Sequence, residues 1–323
     1  MRPVTVVLVG PTASGKSGLA VGLARRYAAD GQPAEVVNAD SMLVYRGMDI
    51  GTAKPTPAER AGVVHHLIDI VAVQETATVA DFQLLARAAI ADCRARGVVP
   101  IVVGGSALYV RAIIDDFDFP ATDPEVRTAL EADLAAVGAP AMHERLARAD
   151  PAAAAQIEPA NARRVVRALE VLTLTGAPYA ASLPERRYLL PEVVQIGLDI
   201  DRPTLDLRIR ARVEAMWGAG LVDEVRRLAD SGLRDGLTAS RALGYRQVLA
   251  FLDGGLSEPQ ALEQTVIGTR KFARRQYSWY RVDDRIHWLR FDDPDLLEHA
   301  YAVAGPRGAG RVSVTSHSAV VEH

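Results

Sequence analysis

The chain has 323 residues, enough for one large domain or two smaller ones, and 49% of them are apolar, which is ample for a core. Its 37 basic and 40 acidic residues leave a net charge of −3, so any nucleic-acid footprint must be local. A single cysteine, Cys93, excludes an internal disulfide and a cysteine-based metal cluster, and no stretch is apolar for long enough to span a bilayer.

The chain opens on a β-branched run, Val4 to Val9, too short for a signal-peptide core and read as the first strand. A cytoplasmic protein is expected. The next residues, Gly10-Pro11-Thr12-Ala13-Ser14-Gly15-Lys16-Ser17, fit G-x-x-x-x-G-K-S. A helix over 16–29, with Leu19, Leu23 and Tyr27 on one face, completes the strand–loop–helix context of a phosphate-binding loop. The glycines let the backbone wrap an anion, and successive N–H groups point at it from the helix N-terminus. Lys16 adds a point charge, and the Ser17 hydroxyl suits Mg²⁺. The chain has only three lysines, so one at this spot is not an accident of composition. The loop is expected to bind a di- or triphosphate, without specifying which.

A short strand over 35–39 ends at Asp40. In an open parallel sheet, residues just past the carboxyl ends of strands line the ligand crevice, so Asp40 stands beside the phosphate loop. It is either a helix cap or a catalytic or Mg²⁺-directed carboxylate. In the long segment up to Pro55, Lys54 reads as a surface charge or as a phosphate contact. A third strand is expected over 63–70, with His65 and His66 packed or exposed rather than catalytic and no third ligand at zinc spacing. Val79, Phe82, Leu85, Ala89 and Cys93 set a helix over 78–96, in which Cys93 is a small buried apolar residue. A buried strand over 98–103 runs into Gly104-Gly105-Ser106. No carboxylate stands at its end, where P-loop ATPases often hold Mg²⁺, which argues against plain ATP hydrolysis.

From residue 116 to 191 only helical patterns occur, broken near Gly138, Pro151 and Pro159. Arg163, Arg164 and Arg167 share one side of a helix over 162–175, either as a solvated face or as contacts to nucleic-acid phosphates. A strand over 193–200 precedes a helix over 205–218 whose stripe Leu205, Ile209, Val213 and Met216 faces a core. Arg208 and Arg212 beside it either snorkel to water or reach the phosphate crevice. A turn with Arg241, Gly244, Tyr245 and Arg246 leads towards a helix over 259–280. Between Arg241 and Arg281 seven basic and three acidic residues give a local charge of +4. Arg270, Arg274, Tyr277 and Arg281 share a stripe, with Arg275, Gln276 and Trp279 beside it. Basic residues interleaved with aromatics suit an RNA backbone with an unstacked base, and an amphipathic core helix with charged edges is the other reading. A last strand over 285–291 and a tail, 305–323, expected to be disordered, end the chain. These elements predict an α/β fold. Residues 1–115 and 192–304 form a P-loop NTPase-like core with a parallel sheet flanked by helices, and 116–191 form an all-helical insertion domain.

Several stretches, taken in order, resemble the tRNA dimethylallyltransferases: GPTASGKS at 10–17, DSMLVYRGMDIGTAKP at 40–55, VGGSALY at 103–109, RALEV at 167–171, RALGYRQ at 241–247 and RRQYSWYR at 274–281. The stretch at 40–55 is the most specific of them. The resemblance implies that the loop binds dimethylallyl diphosphate and that the five-carbon group moves to N6 of the adenosine on the 3′ side of the tRNA anticodon. It implies Asp40 as general base and Arg212 as a diphosphate contact. Gly10, Pro11, Thr12, Ala13, Ser14, Gly15, Lys16 and Ser17 hold the diphosphate, with Mg²⁺ on Ser17. It also implies tRNA contacts at Asp40, Ser41, Met42, Leu43, Ser106, Arg127, Arg163, Arg164, Arg167, Arg241, Gly244, Tyr245, Arg246, Arg274, Arg275, Gln276, Trp279 and Arg281. The partners expected are the tRNA anticodon stem-loop and dimethylallyl diphosphate, with no membrane, and the chain is expected to act as a monomer. Two other readings stay open: a P-loop small-molecule kinase or ATPase, and prenyl transfer to free adenine nucleotides.

Overall fold

The computed structural model describes residues 3–117, 119–120, 122–179 and 184–305. Of the tail read over 305–323, all but Gly305 lies outside the described residues. The chain divides into two compact units, 1–115 with 188–323 and 116–187.

The first unit begins with β1 (Thr5–Val9) and α1 (Lys16–Ala29), then β2 (Ala34–Asn38), the single turn α2 (Pro57–Arg60) and β3 (His65–His66). Next come α3 (Val79–Ala95), β4 (Val99–Val103) and α4 (Ala107–Ile114). The second unit holds α5 (Pro124–Ala149), α6 (Pro151–Gln156) and α7 (Ala162–Thr175). The first unit resumes with β5 (Val193–Asp199), α8 (Arg202–Gly218), α9 (Leu221–Asp230), α10 (Tyr245–Leu252), α11 (Glu258–Arg281), β6 (Ile286–Arg290) and α12 (Leu296–Ala304).

All strand pairs are parallel, in the order β3-β2-β4-β1-β5-β6. The β-branched runs are buried on both faces, as a helix-covered parallel sheet requires. In β1, Val6 and Leu8 pack with α1 and α12, while Val7 and Val9 pack with α3, α4, α9 and α10. This alternation puts two cores on opposite faces of one sheet. The ends of β1, β2 and β4 therefore open side by side. A Cβ on Gly104 would stand 2.5 Å from the Ala39 carbonyl, so these two strand ends approach more closely than any side chain allows.

In the second unit α5 breaks at Gly138 (φ 81°), two residues before Pro140, and folds back over a core of Leu130, Met142, Leu146, Val165 and Leu169. The expected boundary at 191 falls four residues too late. Tyr188 bridges Asp115, the Leu189 N–H donates to the Ile114 carbonyl, and Tyr188 and Leu190 pack on the sheet core. The strand expected over 63–70 shrinks to two residues because Leu67 and Asp69 take positive φ (62° and 58°), which ends pairing.

Lys54 is neither a surface charge nor a phosphate contact. It is buried, with its ammonium on Asp69 at 2.5 Å, Asp49 at 2.7 Å and the Tyr45 carbonyl at 2.8 Å. A buried cation needs such partners. His66 and Cys93 do acquire a third neighbour, Glu35, with all three ligating atoms within 4.8 Å. Two observations make this an ion-pair network rather than a cation site. Arg96 already covers both Glu35 oxygens at 2.8 Å, and burial beside that carboxylate pushes the thiol up to about 12, so it stays protonated.

Candidate active site

The turn after β1 needs unusual backbone. Gly10 (φ 137°) and Gly15 (φ 104°) take conformations open to glycine, and Ala13 (φ 65°) sits in the left-handed region between them. Gly15 caps α1 without a side chain, so the first amides of the helix are left for a ligand. Two distant residues hold the loop from above. Arg208 of α8 donates Nε to the Ala13 carbonyl at 2.8 Å, and Gln276 of α11 accepts the Thr12 N–H at 2.9 Å. Arg208 therefore does not simply snorkel to water.

A cavity of about 410 Å³ opens at this loop, lined by Thr12, Ala13, Gly15 to Gly18, Asp40, Leu43, Thr52, Ala53, Val103 to Gly105, Arg208, Ala211, Arg212 and Gln276. It brings together residues from the ends of β1, β2 and β4 and from α8 and α11, all within the first unit. Lys16 lies half-buried in it, its ammonium 2.6 Å from the Pro11 carbonyl. Desolvation and the nearby Arg212 guanidinium pull that ammonium down to about 7, against the Asp40 carboxylate, which raises it. Arg212 is lowered by its own burial and raised by Asp40, and it donates to the Thr52 carbonyl at 3.2 Å. Two cations line one cavity and repel each other, an arrangement that an anion between them would relieve.

Asp40 is held by its neighbours. Its N–H donates to the Asn38 side chain at 2.8 Å, and its Oδ1 accepts the Met42 N–H at 2.8 Å. It caps no helix. The carboxylate stands on the cavity wall, opposite in sign to Lys16 and Arg212. Ser17 lines the same cavity, with no hydrogen-bond partner for its hydroxyl among the described residues.

The remaining expected residues divide. Ser41 and Met42 are half-buried beside Asp40, and Ser106 is half-buried at the N-terminus of α4. Arg241, Arg246, Arg274, Arg275 and Trp279 are exposed. Tyr245 is fully buried, its hydroxyl on Glu224 at 2.5 Å, and Gly244 is the buried cap of α10 at φ 88°. Neither offers a side chain to an RNA, so both are corrected to internal roles. Gln276 is corrected from tRNA contact to loop anchor. Arg281 is exposed but engaged, 2.7 Å from Asp199, with its guanidinium over Tyr277 and Trp288.

In the second unit Arg163 and Arg164 are exposed, whereas Arg127 and Arg167 both bind the fully buried Glu170. Burial raises that carboxyl, and the two arginines more than offset it, holding it low. Arg127 keeps 37% of its side chain exposed and Arg167 19%, so each presents part of its guanidinium-bearing chain to solvent while paired with Glu170. Glu224 itself was not foreseen. The signal was present: it falls on the stripe Leu221, Val225, Leu228 that buries α9.

A P-loop turn, two half-buried cations and a carboxylate around one cavity define a P-loop-type site. A family model described as IPP transferase matches residues 43–283. A tRNA dimethylallyltransferase of Thermobifida fusca is 59% identical over 92% of this chain and 93% of its own, and one of Kineococcus radiotolerans is 61% identical over 89% and 91%. The tRNA isopentenylpyrophosphate transferase structure of Bacillus halodurans aligns at TM-score 0.68 and 40% identity, covering 94% of this chain and 96% of that one. A eukaryotic dimethylallyltransferase acting on tRNA aligns at TM-score 0.77 and 25% identity, covering 94% and 78%. The chain belongs to the IPP transferase family. No helix among the described residues is long and apolar enough to cross a membrane.

Proposed function

We propose that this enzyme transfers a dimethylallyl group from dimethylallyl diphosphate to N6 of the adenosine on the 3′ side of the tRNA anticodon, releasing diphosphate, and that it does so as a cytoplasmic monomer. The observation that carries the reading is the Asp40 carboxylate lining the same cavity as Lys16, Arg212 and the phosphate loop. The amino nitrogen of adenine is a weak nucleophile because its lone pair is delocalised into the ring. A carboxylate that takes its proton as the C–N bond forms is what the step needs. The bond that breaks is the allylic C–O bond, and its electron pair leaves on diphosphate. Lys16, Arg212 and the loop amides are placed to take up that charge. Hard oxygen donors are the set Mg²⁺ prefers, and the free Ser17 hydroxyl with Asp40 nearby fits that set. Mg²⁺ there would neutralise diphosphate charge.

On the tRNA side, exposed Arg241, Arg246, Arg274, Arg275 and Trp279 are read as contacts to backbone and bases, with Arg163 and Arg164 adding contacts from the second unit. Arg274→Ala is expected to weaken tRNA binding and lower its salt slope by ~1. Arg281→Ala should move the slope less, because Asp199 already pairs that charge. Equal slopes for wild type and Arg274→Ala would return Arg274 to a plain surface charge.

Pyrophosphate binding should be linked to pH. Burial and Arg212 pull the Lys16 ammonium down to about 7, and a bound diphosphate anion raises it, so at pH 8 binding is expected to take up a proton at Lys16. Affinity then falls as pH climbs above about 7. Calorimetry in buffers of different ionisation enthalpy reads the uptake, and no uptake would remove Lys16 from the diphosphate.

The test of the whole reading is a substrate competition. Unmodified tRNA, Mg²⁺, labelled dimethylallyl diphosphate and, separately, labelled ATP are offered, and the movement of each label is followed. Prenyl label in tRNA with ATP untouched is expected. ATP turnover without prenyl transfer would point to a kinase or ATPase. Efficient transfer to free AMP would point to a free nucleotide as acceptor.

A further inference from the structure

Four donors converge on one buried carboxylate in the first unit. Glu224, 3% exposed in the first turn of α9, accepts the backbone N–H groups of Asp49 at 3.1 Å, Ile50 at 2.7 Å and Gly51 at 3.2 Å, and the Tyr245 hydroxyl at 2.5 Å. Oε2 serves Asp49 and Ile50, and Oε1 serves Gly51 and Tyr245, so both oxygens are used. The loop is also seated sterically, because a Cβ on Gly51 would stand 2.5 Å from the Tyr245 ring and 2.8 Å from Leu221. Lys54 pins its far end to Asp69 and Tyr45. Between these two anchors lie Thr52 and Ala53, which line the cavity, and the Thr52 carbonyl accepts the Arg212 guanidinium at 3.2 Å.

We infer that Glu224 is a positioning residue for the reaction: through the 49–51 backbone it fixes the Thr52 carbonyl, and through that carbonyl it sets where Arg212 meets the diphosphate. The inference rests on the proposed reading of Arg212 as a diphosphate contact. Arg212 has several rotatable bonds and is repelled by Lys16 in the same cavity. A fixed acceptor on the wall keeps it in place before the diphosphate arrives, so less ordering remains to be done on binding.

The test is a double-mutant cycle in the full chain, with Glu224→Gln, Arg212→Ala and both together. Glutamine keeps the volume but turns one acceptor into a donor, facing a pair of donors. The readouts are the Kd for inorganic pyrophosphate, kcat and KM for dimethylallyl diphosphate, and the Kd for tRNA. Glu224→Gln is expected to weaken pyrophosphate ~10-fold when Arg212 is present and less than ~2-fold when it is alanine, with tRNA affinity unchanged. Equal factors in both backgrounds would make Glu224 merely structural and overturn the inference, while leaving the diphosphate reading intact. An Arg212→Ala chain that binds pyrophosphate normally would overturn the reading of Arg212 and this inference with it. Should Glu224→Gln fail to fold, Tyr245→Phe enters the same cycle. It removes one donor and keeps the ring under Gly51, and a ~3-fold effect that vanishes without Arg212 is expected, additivity again being the outcome that overturns the inference.

Discussion

Asp40→Ala is expected to lower the rate of prenyl transfer ~10²–10⁴-fold while tRNA binding changes little. The size follows from the role: without a base, the nitrogen must attack while still carrying its proton. Asp40→Asn is the sharper variant. Oδ1 of Asp40 accepts the Met42 N–H, and an asparagine carbonyl oxygen can keep that bond, so the turn after β2 survives while the basicity goes. The two variants should therefore fall by similar factors if proton removal is the role. A large loss in alanine with near-normal asparagine would instead make Asp40 a turn former. Single-turnover rates with saturating tRNA separate chemistry from binding.

The parts of this site that were legible in the sequence are local. A strand, a glycine-rich turn and a helix carry their own geometry, so the phosphate loop could be read from eight consecutive residues. Asp40 followed from one rule about strand ends in parallel sheets. What failed needed long-range partners. Nothing near Lys54 announces Asp69, fifteen residues on, as its counter-ion. Arg208 reaches the Ala13 carbonyl across 195 positions, and Gln276 reaches Thr12 across 264. The same limit explains Tyr245, which the family resemblance implied as a tRNA contact and which is fully buried. Pattern shows which residues share a helix face, and packing decides whether that face meets solvent. Tyr245 found Glu224, and Arg281 found Asp199.

Those long-range bonds have a common effect: they preorganise the cavity before any ligand arrives. The loop is gripped by α8 and α11, the 49–51 backbone by Glu224, and Arg212 by the Thr52 carbonyl. Preorganised charge stabilises a leaving group without reorganisation during the reaction, which is where such sites gain most of their rate. The like-charged pair at Lys16 and Arg212 stores unfavourable energy in the free enzyme that a bound anion would relieve. That is consistent with a site whose ligand is a strong anion.

Lys16→Ala is accordingly expected to lower prenyl transfer ~10²–10³-fold, the usual cost of removing one preorganised charge from a developing anion. Three companion effects distinguish this from general damage. Pyrophosphate binding should weaken, and what remains should lose its proton uptake at pH 8, because the group that titrates near 7 is gone. Affinity for tRNA should stay within a few-fold, since the exposed arginines on α11 and before α10 are untouched. The Arg212 guanidinium, no longer facing a second cation, should sit more comfortably in the free enzyme, so thermal stability should hold or rise slightly. Retained transfer with lost ATP affinity would show that the lysine serves a nucleotide rather than the prenyl donor.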